Sequence, residues 1–248
     1  MQRLIIDPNQ CNGAAVTLTA AQVHYLRRVL RLQVGDRFLA LDGRGGAWQA
    51  EITATGAWLG AAIAWDTELP IAVTLIVALP KGTGFETIVR AGTELGASQF
   101  IPVLTARSLL QPSAPKQARW QRIAQEAAEQ SERGLLPSVS APLALASALE
   151  ALDPTTGRYV CVARGAPTPA LQAWSTQPLG DSVAIATGPE GGWTAAELEL
   201  LQAQGFAPIS LGRRVLRAVT APLAALALLG ALSEGVQGSG DGASSGCS

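Results

Sequence analysis

Two short runs near the carboxyl end of this 248-residue chain gather the residue types that chemistry needs: Gly188-Pro189-Glu190-Gly191-Gly192 and Leu211-Gly212-Arg213-Arg214-Val215-Leu216-Arg217. Glycine lets main chain approach a ligand closely. A carboxylate can take up a proton, and arginine offers a planar fork of donors to carboxylate or phosphate. Each run follows an apolar stretch, 182–186 and 207–211, that reads as a buried strand. Loops leaving the carboxyl ends of neighbouring parallel strands meet in one crevice, which is where open α/β sheets hold ligands. Thr194 and Glu197 have capping-box spacing, so a helix is expected directly after the first run. Amides left free at such a turn can bond a ligand's ring or carboxylate. Neither run continues into Gly-Lys-Ser/Thr and neither is G-x-G-x-x-G, so phosphate anchoring is not the natural assignment. Taken singly, each run is better explained by a tight turn that needs glycine for its geometry.

The rest of the composition narrows the class. With 48% hydrophobic and 15% charged residues the chain reads as globular, and it is long enough for two domains. Cys11, Cys161 and Cys247 are far apart and match no metal-ligand spacing, so free thiols in a reducing compartment and no metal are expected. The opening MQRLIIDPNQ lacks a basic segment followed by an apolar one, which argues against a secretion signal and for a cytoplasmic protein. The most apolar segment, 223–232, is too short for a membrane span. Net charge is −1, but residues 81–135 hold seven Lys/Arg against five Asp/Glu and residues 136–210 two against six. That weak polarisation suits selective contact with nucleic acid, and equally suits ordinary solvated faces.

Residues 1–70 form a small β-rich domain by pattern, with strand-length apolar or alternating runs at 16–18, 36–41, 48–53 and 58–65. One helix interrupts them, capped by Thr19, with Val23, Leu26, Val29 and Leu30 at helical spacing on its buried side. His24, Arg27, Arg28 and Arg31 are left on the other faces, where arginines can grip phosphates or simply be solvated. The pattern changes at Glu68-Leu69-Pro70, taken as the linker. Strands at 71–78, 100–104, 159–163 and 182–186 then alternate with helices at 85–95, 119–132 and 141–152, which predicts a parallel sheet with right-handed crossovers. The stretch 223–232 is apolar on all sides and must bury every face, in the core or against a partner. Residues 235–248 are Gly/Ser-rich and read as a flexible tail.

The combination of GPEGG with LGRRVLRAVTA resembles the signature of the RsmE-type small-subunit ribosomal RNA uridine-N3 methyltransferases, members of the SPOUT class. Further matches are Leu79-Pro80-Lys81-Gly82, Thr93-Glu94-Leu95-Gly96, Arg107-Ser108, residues 126–131 with Arg133 and Pro137, and His24-Tyr25-Leu26 with Val29-Leu30-Arg31, so the resemblance covers roughly residues 1–232. It implies a small PUA-like β-barrel domain (1–70), an α/β SPOUT-type domain (71–234) whose parallel sheet carries a C-terminal trefoil knot, and the tail (235–248). It also implies a homodimer with the active site near the subunit interface, S-adenosylmethionine as cofactor, and small-subunit ribosomal RNA or an assembling 30S particle as partner.

Carried over residue by residue, the resemblance places Gly188, Pro189, Glu190, Gly191, Gly192, Leu211, Gly212, Arg214, Val215 and Leu216 around the cofactor. Arg217, with Arg214, would supply positive charge to the reacting base; Arg133 and Glu190 are the other candidates for catalysis. Arg27, Arg28, Arg31, Arg107 and Arg133 would contact RNA, with Lys81 as a weaker candidate. One departure stands out: Val219 occupies a position where the family commonly has Glu. That substitution favours a rival reading, a non-enzymatic ribosome-associated RNA-binding dimer that keeps the fold. A nucleotide-dependent oxidoreductase on a doubly wound sheet lacks its glycine fingerprint here.

Overall fold

The computed structural model describes residues 2–107, 112–176 and 179–237. Expectations for Ser108, Cys247 and the tail from 238 onward lie outside the described residues. The chain forms two compact units, residues 1–68 with 128–136, and residues 69–127 with 137 onward.

In the first unit, strands β1 (Arg3–Ile5), β2 (Cys11–Asn12), β3 (Ala15–Val16), β4 (Arg37–Leu41), β5 (Ala47–Ile52) and β6 (Ala57–Ala62) form one sheet in the order β1-β4-β5-β6-β3-β2. β1 pairs with β4 in parallel and every other ladder is antiparallel. The pairing path ends at β1 and β2, with no ladder joining them among the described residues, so the expected barrel is a six-stranded sheet with two ends. β4 explains the unbroken apolar run Phe38-Leu39-Ala40-Leu41. Phe38 and Ala40 join a core with Leu4, Ile6, Val16, Leu26, Ala50 and Ile52, whereas Leu39 and Leu41 join a second with Ile5, Ala47 and Ala128. Successive side chains alternate faces, and both faces are covered.

That second core needs residues 128–136, which the sequence pattern assigned to the other domain. They are fastened by Trp65 Nε1 donating to Glu132 O (2.7 Å), Leu136 N to Gly43 O (2.9 Å) and Gly45 N to Gly134 O (3.0 Å). Helical periodicity does not record which unit a turn packs in, so this excursion leaves no mark in the sequence pattern.

The amino-terminal helix starts as expected: Thr19 caps α1 (Ala20–His24), with Gln22 completing a capping box. It then widens into a π-helical turn, Tyr25–Val29, closed by Leu30 N donating to Tyr25 O (2.9 Å). The extra residue turns the stripe by one position. Leu26 is buried, but Val29, expected inside, is 58% exposed, while Leu30 is only half-buried.

The second unit contains β7 (Ala72–Ala78), α2 (Gly84–Glu94), β8 (Gln99–Leu104), α3 (Ala114–Gln130), β9 (Ser138–Val139), β10 (Leu143–Ala144), α4 (Leu145–Glu150), β11 (Gly157–Cys161), β12 (Thr168–Pro169), α5 (Ala170–Ser175), β13 (Ser182–Thr187), α6 (Ala195–Ala203), β14 (Ala207–Ser210) and α7 (Thr220–Gln237). The last turn of α3 counts with the first unit. All ladders are parallel, in the order β10-β8-β7-β13-β11-β14-β12, with β9 also on β8. β13 sits in the middle, with Val183 to Ala186 fully buried between β7 and β11. The helix expected over 141–152 is shorter, since Leu143 and Ala144 extend the sheet first. Helix α7 buries Ala225, Leu226 and Leu229, but Leu223, Leu228 and Leu232 are only half-buried and Ala227 and Ala231 are exposed. It runs through Gly235 to Gln237, past the expected start of the tail. Among the described residues no helix is long and apolar enough to cross a membrane.

Candidate active site

The sheet order changes one expectation. β13 and β14 are not neighbours, because β11 lies between them. Three loops therefore leave adjacent carboxyl ends, and together they enclose a cavity of about 520 Å³, within the range of small-molecule sites. The glycine run after β13 and the arginine run after β14 form two walls, and Cys161 to Arg164 after β11 form the third. This third wall escaped sequence reading because 159–163 registers only as a strand, and strand order is not written in periodicity.

All ten residues assigned to the cofactor from the family resemblance, Gly188 to Gly192 with Leu211, Gly212, Arg214, Val215 and Leu216, line this one cavity. Gly192 and Gly212 have φ of +71° and +114°, the left-handed region that favours glycine. Gly188 is required for another reason: a Cβ there would lie 3.2 Å from the Trp193 backbone nitrogen and indole. At the head of the loop Thr187 is fully buried, and its Oγ1 has no hydrogen-bond partner; neither has the buried Nε1 of Trp193. Val215, 72% exposed, gives the mouth an apolar edge.

The charged groups divide by what already holds them. Glu190 is exposed, and its Oε1 accepts from Lys81 N at 3.1 Å. Arg107 Nη1 donates to Gly191 O and, at 3.4 Å, to Gly192 O. Glu197 accepts from Thr194 N (2.8 Å) and Thr194 Oγ1 (2.9 Å) with Oε2, and from Ala106 N (2.8 Å) with Oε1. Burial works to raise the Glu197 pKa, but the amides of Thr194 and Ala106, the Thr194 hydroxyl and the Arg107 charge outweigh it, and the carboxyl is held below its ordinary value. Burial pushes the Cys161 thiol up to about 12, which makes it inert rather than nucleophilic.

Other expected site residues stand elsewhere. Arg217 is exposed and outside the cavity lining, while its carbonyl accepts from Thr220 N (2.9 Å) and Ala221 N (3.0 Å) at the start of α7. Val219 packs so closely on the first residue of α2 that a Cβ on Gly84 would lie 2.9 Å from its Cγ2. Arg133 belongs to the first unit, is 3% exposed, and its guanidinium pairs with Glu68. Arg28 and Arg31 are exposed; Arg27 instead donates to Thr53 O (3.1 Å) and Ala54 O (3.2 Å).

Comparison with known proteins gives this geometry its context. A family model described as an RNA methyltransferase domain matches residues 67–230, and one described as an RNA methyltransferase PUA domain matches residues 18–57. The chain is 54% identical to the ribosomal RNA small subunit methyltransferase E of Synechocystis over 237 residues, covering 94% of this chain and 78% of that one. It is 34% identical to the protein of the same name from Bacillus subtilis over 254 residues, covering 96% and 99%. Among solved structures, the ribosomal RNA small subunit methyltransferase E from Neisseria gonorrhoeae bound to S-adenosyl methionine matches with a TM-score of 0.82 at 27% identity, covering 94% and 98%.

Proposed function

This chain belongs to the ribosomal RNA small subunit methyltransferase E family, and from that membership we propose that it methylates N3 of a specific uridine in small-subunit ribosomal RNA with S-adenosylmethionine as donor. The observation that carries the proposal is the single cavity into which both glycine-marked runs converge. Its residues suit the cofactor: glycines keep main chain open to a flat ring, apolar walls surround it, and the unpartnered Thr187 and Trp193 polar atoms lie in the wall.

S-adenosylmethionine supplies a methyl group already activated on a sulfonium. The chain's task is then to hold donor and base in line. Main-chain groups of 188–192 and 211–216 hold the donor. Arg214 in the lining and Arg217 outside it favour loss of the N3 proton to solvent water and stabilise charge that spreads to the flanking carbonyl oxygens. Glu190 is a holding group in this scheme, because its carboxylate already receives the Lys81 amide.

The exposed Arg28, Arg31 and Arg107 contact RNA phosphates, in isolated ribosomal RNA or an assembling 30S particle in the cytoplasm. A homodimer covers the face of α7 left open by Leu223, Ala227, Leu228 and Ala231. A trefoil knot fits the path by which the chain, having passed beyond β11 to β14, returns to pack α7 on β7 and β13.

Two measurements test the function. Calorimetry with S-adenosylmethionine is expected to give saturable binding, and ribosomal RNA from cells lacking the gene is expected to lose one methyluridine by mass spectrometry. No binding at millimolar cofactor would leave the non-enzymatic RNA-binding dimer as the better account.

A further inference from the structure

We infer that Glu197 is a positioning residue that shapes the cofactor loop through the loop after β8, in addition to capping α6. The inference rests on the cofactor assignment above and deepens it.

The glycine run has little structure of its own. Within it, Gly192 N donates to Pro189 O at 2.8 Å, and otherwise it is held from outside. On one side Glu190 takes the Lys81 amide from the loop after β7; on the other, Glu197 and Arg107 tie it to the loop after β8. The two carboxylates are not equal. Glu190 is exposed and has a single 3.1 Å bond, the kind of contact that water and salt weaken. Glu197 is half-buried, receives three donors at 2.8 to 2.9 Å, and stays ionised below its ordinary range. Hydrogen bonds to a charged, partly buried acceptor are the stronger class.

The division of labour between its oxygens shows the second role. A capping box needs one oxygen, which here is Oε2 on Thr194. Oε1 reaches Ala106 N, 91 residues away in sequence, and that bond does nothing for the cap. It fixes the residue just before Arg107, whose guanidinium then reaches the Gly191 and Gly192 carbonyls. The fit is close: a Cβ on Gly191 would lie 3.0 Å from Arg107 Cδ. Glu197, Ala106, Arg107 and Gly191 thus close a ring that holds one side of the cofactor loop, with Arg107 itself in the cavity lining.

The test uses calorimetry of the whole chain with S-adenosylhomocysteine, which reads binding without turnover, alongside thermal midpoints. Glu197→Gln places an amide where both ends demand an acceptor, and should weaken binding about tenfold. Thr194→Ala removes the capping hydroxyl but leaves the Ala106 bridge. It should lower the midpoint by a similar amount yet weaken binding less than about threefold. Equal losses of affinity in the two variants would reduce Glu197 to a cap. If Glu197→Gln does not fold, Arg107→Met carries the test: amide hydrogen exchange over 189–193 should quicken and binding weaken, and no change in both would overturn the inference. Failure of the wild-type chain to bind S-adenosylhomocysteine would instead count against the cofactor assignment itself.

Discussion

Arg133 and Glu68, 65 residues apart, form a partly buried ion pair in which Nε and Nη2 both reach Oε2, at 2.9 and 2.5 Å, while Oε1 accepts from Leu135 N at 3.0 Å. The pair fastens residues 128–136 to the sheet of the first unit. Removing one partner takes the opposite charge from a partly buried group, at a cost of about 1 to 3 kcal/mol. Arg133→Met and Glu68→Leu should each cost roughly that much in urea unfolding, and the double variant should recover most of it. Losses under about 1 kcal/mol in the single variants would mean that the pair is slack.

The two loop glycines without left-handed φ should respond differently to a methyl group. At Gly188 the Cβ would meet the Trp193 backbone at 3.2 Å, which cannot easily retreat; at Gly191 it would meet Arg107 Cδ at 3.0 Å, a side chain that can shift at some loss of its bonds to the Gly191 and Gly192 carbonyls. Gly188→Ala is therefore expected to weaken S-adenosylhomocysteine binding by about tenfold or more, and Gly191→Ala by only a few-fold. Gly191→Val, too bulky for Arg107 to evade, should abolish binding while the fold persists. The reverse order for the two alanine variants would show that Arg107, not Trp193, is the rigid neighbour.

The residues of this cavity differ in how much of their placement a local pattern carries. Gly188 to Gly192 and Leu211 to Leu216 announce themselves because glycine and arginine at strand ends are unusual types in short windows. Cys161 and Val162 gave no such signal, since a strand end looks the same whether it borders a ligand or solvent. The strand order that brings β11 between β13 and β14 is a property of chain path, invisible to local pattern. Arg133 is the opposite case: a motif match suggests chemistry, while its partner Glu68 lies too far off in sequence for any spacing rule to find. Val29 failed at a π-turn, where one extra residue reversed an otherwise sound helical stripe.

Cys161 lines the cavity, yet its thiol should be unreactive, because burial raises its pKa from 9.0 to about 12. At pH 8 the thiolate fraction is then about 10⁻⁴, and alkylation by iodoacetamide should be far slower than that of a free peptide thiol, rising about tenfold per pH unit. The sign for stability follows. Between pH 9.0 and about 12 the unfolded chain has lost this proton and the folded chain keeps it, so stability falls as pH rises through that window. Prompt labelling of Cys161 at pH 8, read by mass spectrometry of the intact fold, would show the cavity wall to be open.

Three arginines of the amino-terminal helix look alike in sequence and should behave differently. Arg27 is bound to the carbonyls of Thr53 and Ala54, so its loss should act first on the first unit's stability, by about 1 kcal/mol. Arg28 and Arg31 are exposed, and Arg31 holds a left-handed φ of +57° just past the π-turn, a conformation uncommon for a residue with a long side chain. Arg28→Ala with Arg31→Ala should leave the thermal midpoint nearly unchanged but weaken binding to a small-subunit ribosomal RNA fragment. The slope of log affinity against log salt should shrink by between one and two units, as expected when two phosphate contacts are lost. An identical slope in the double variant would mean that these side chains are solvated rather than engaged, and that the RNA is gripped from another face.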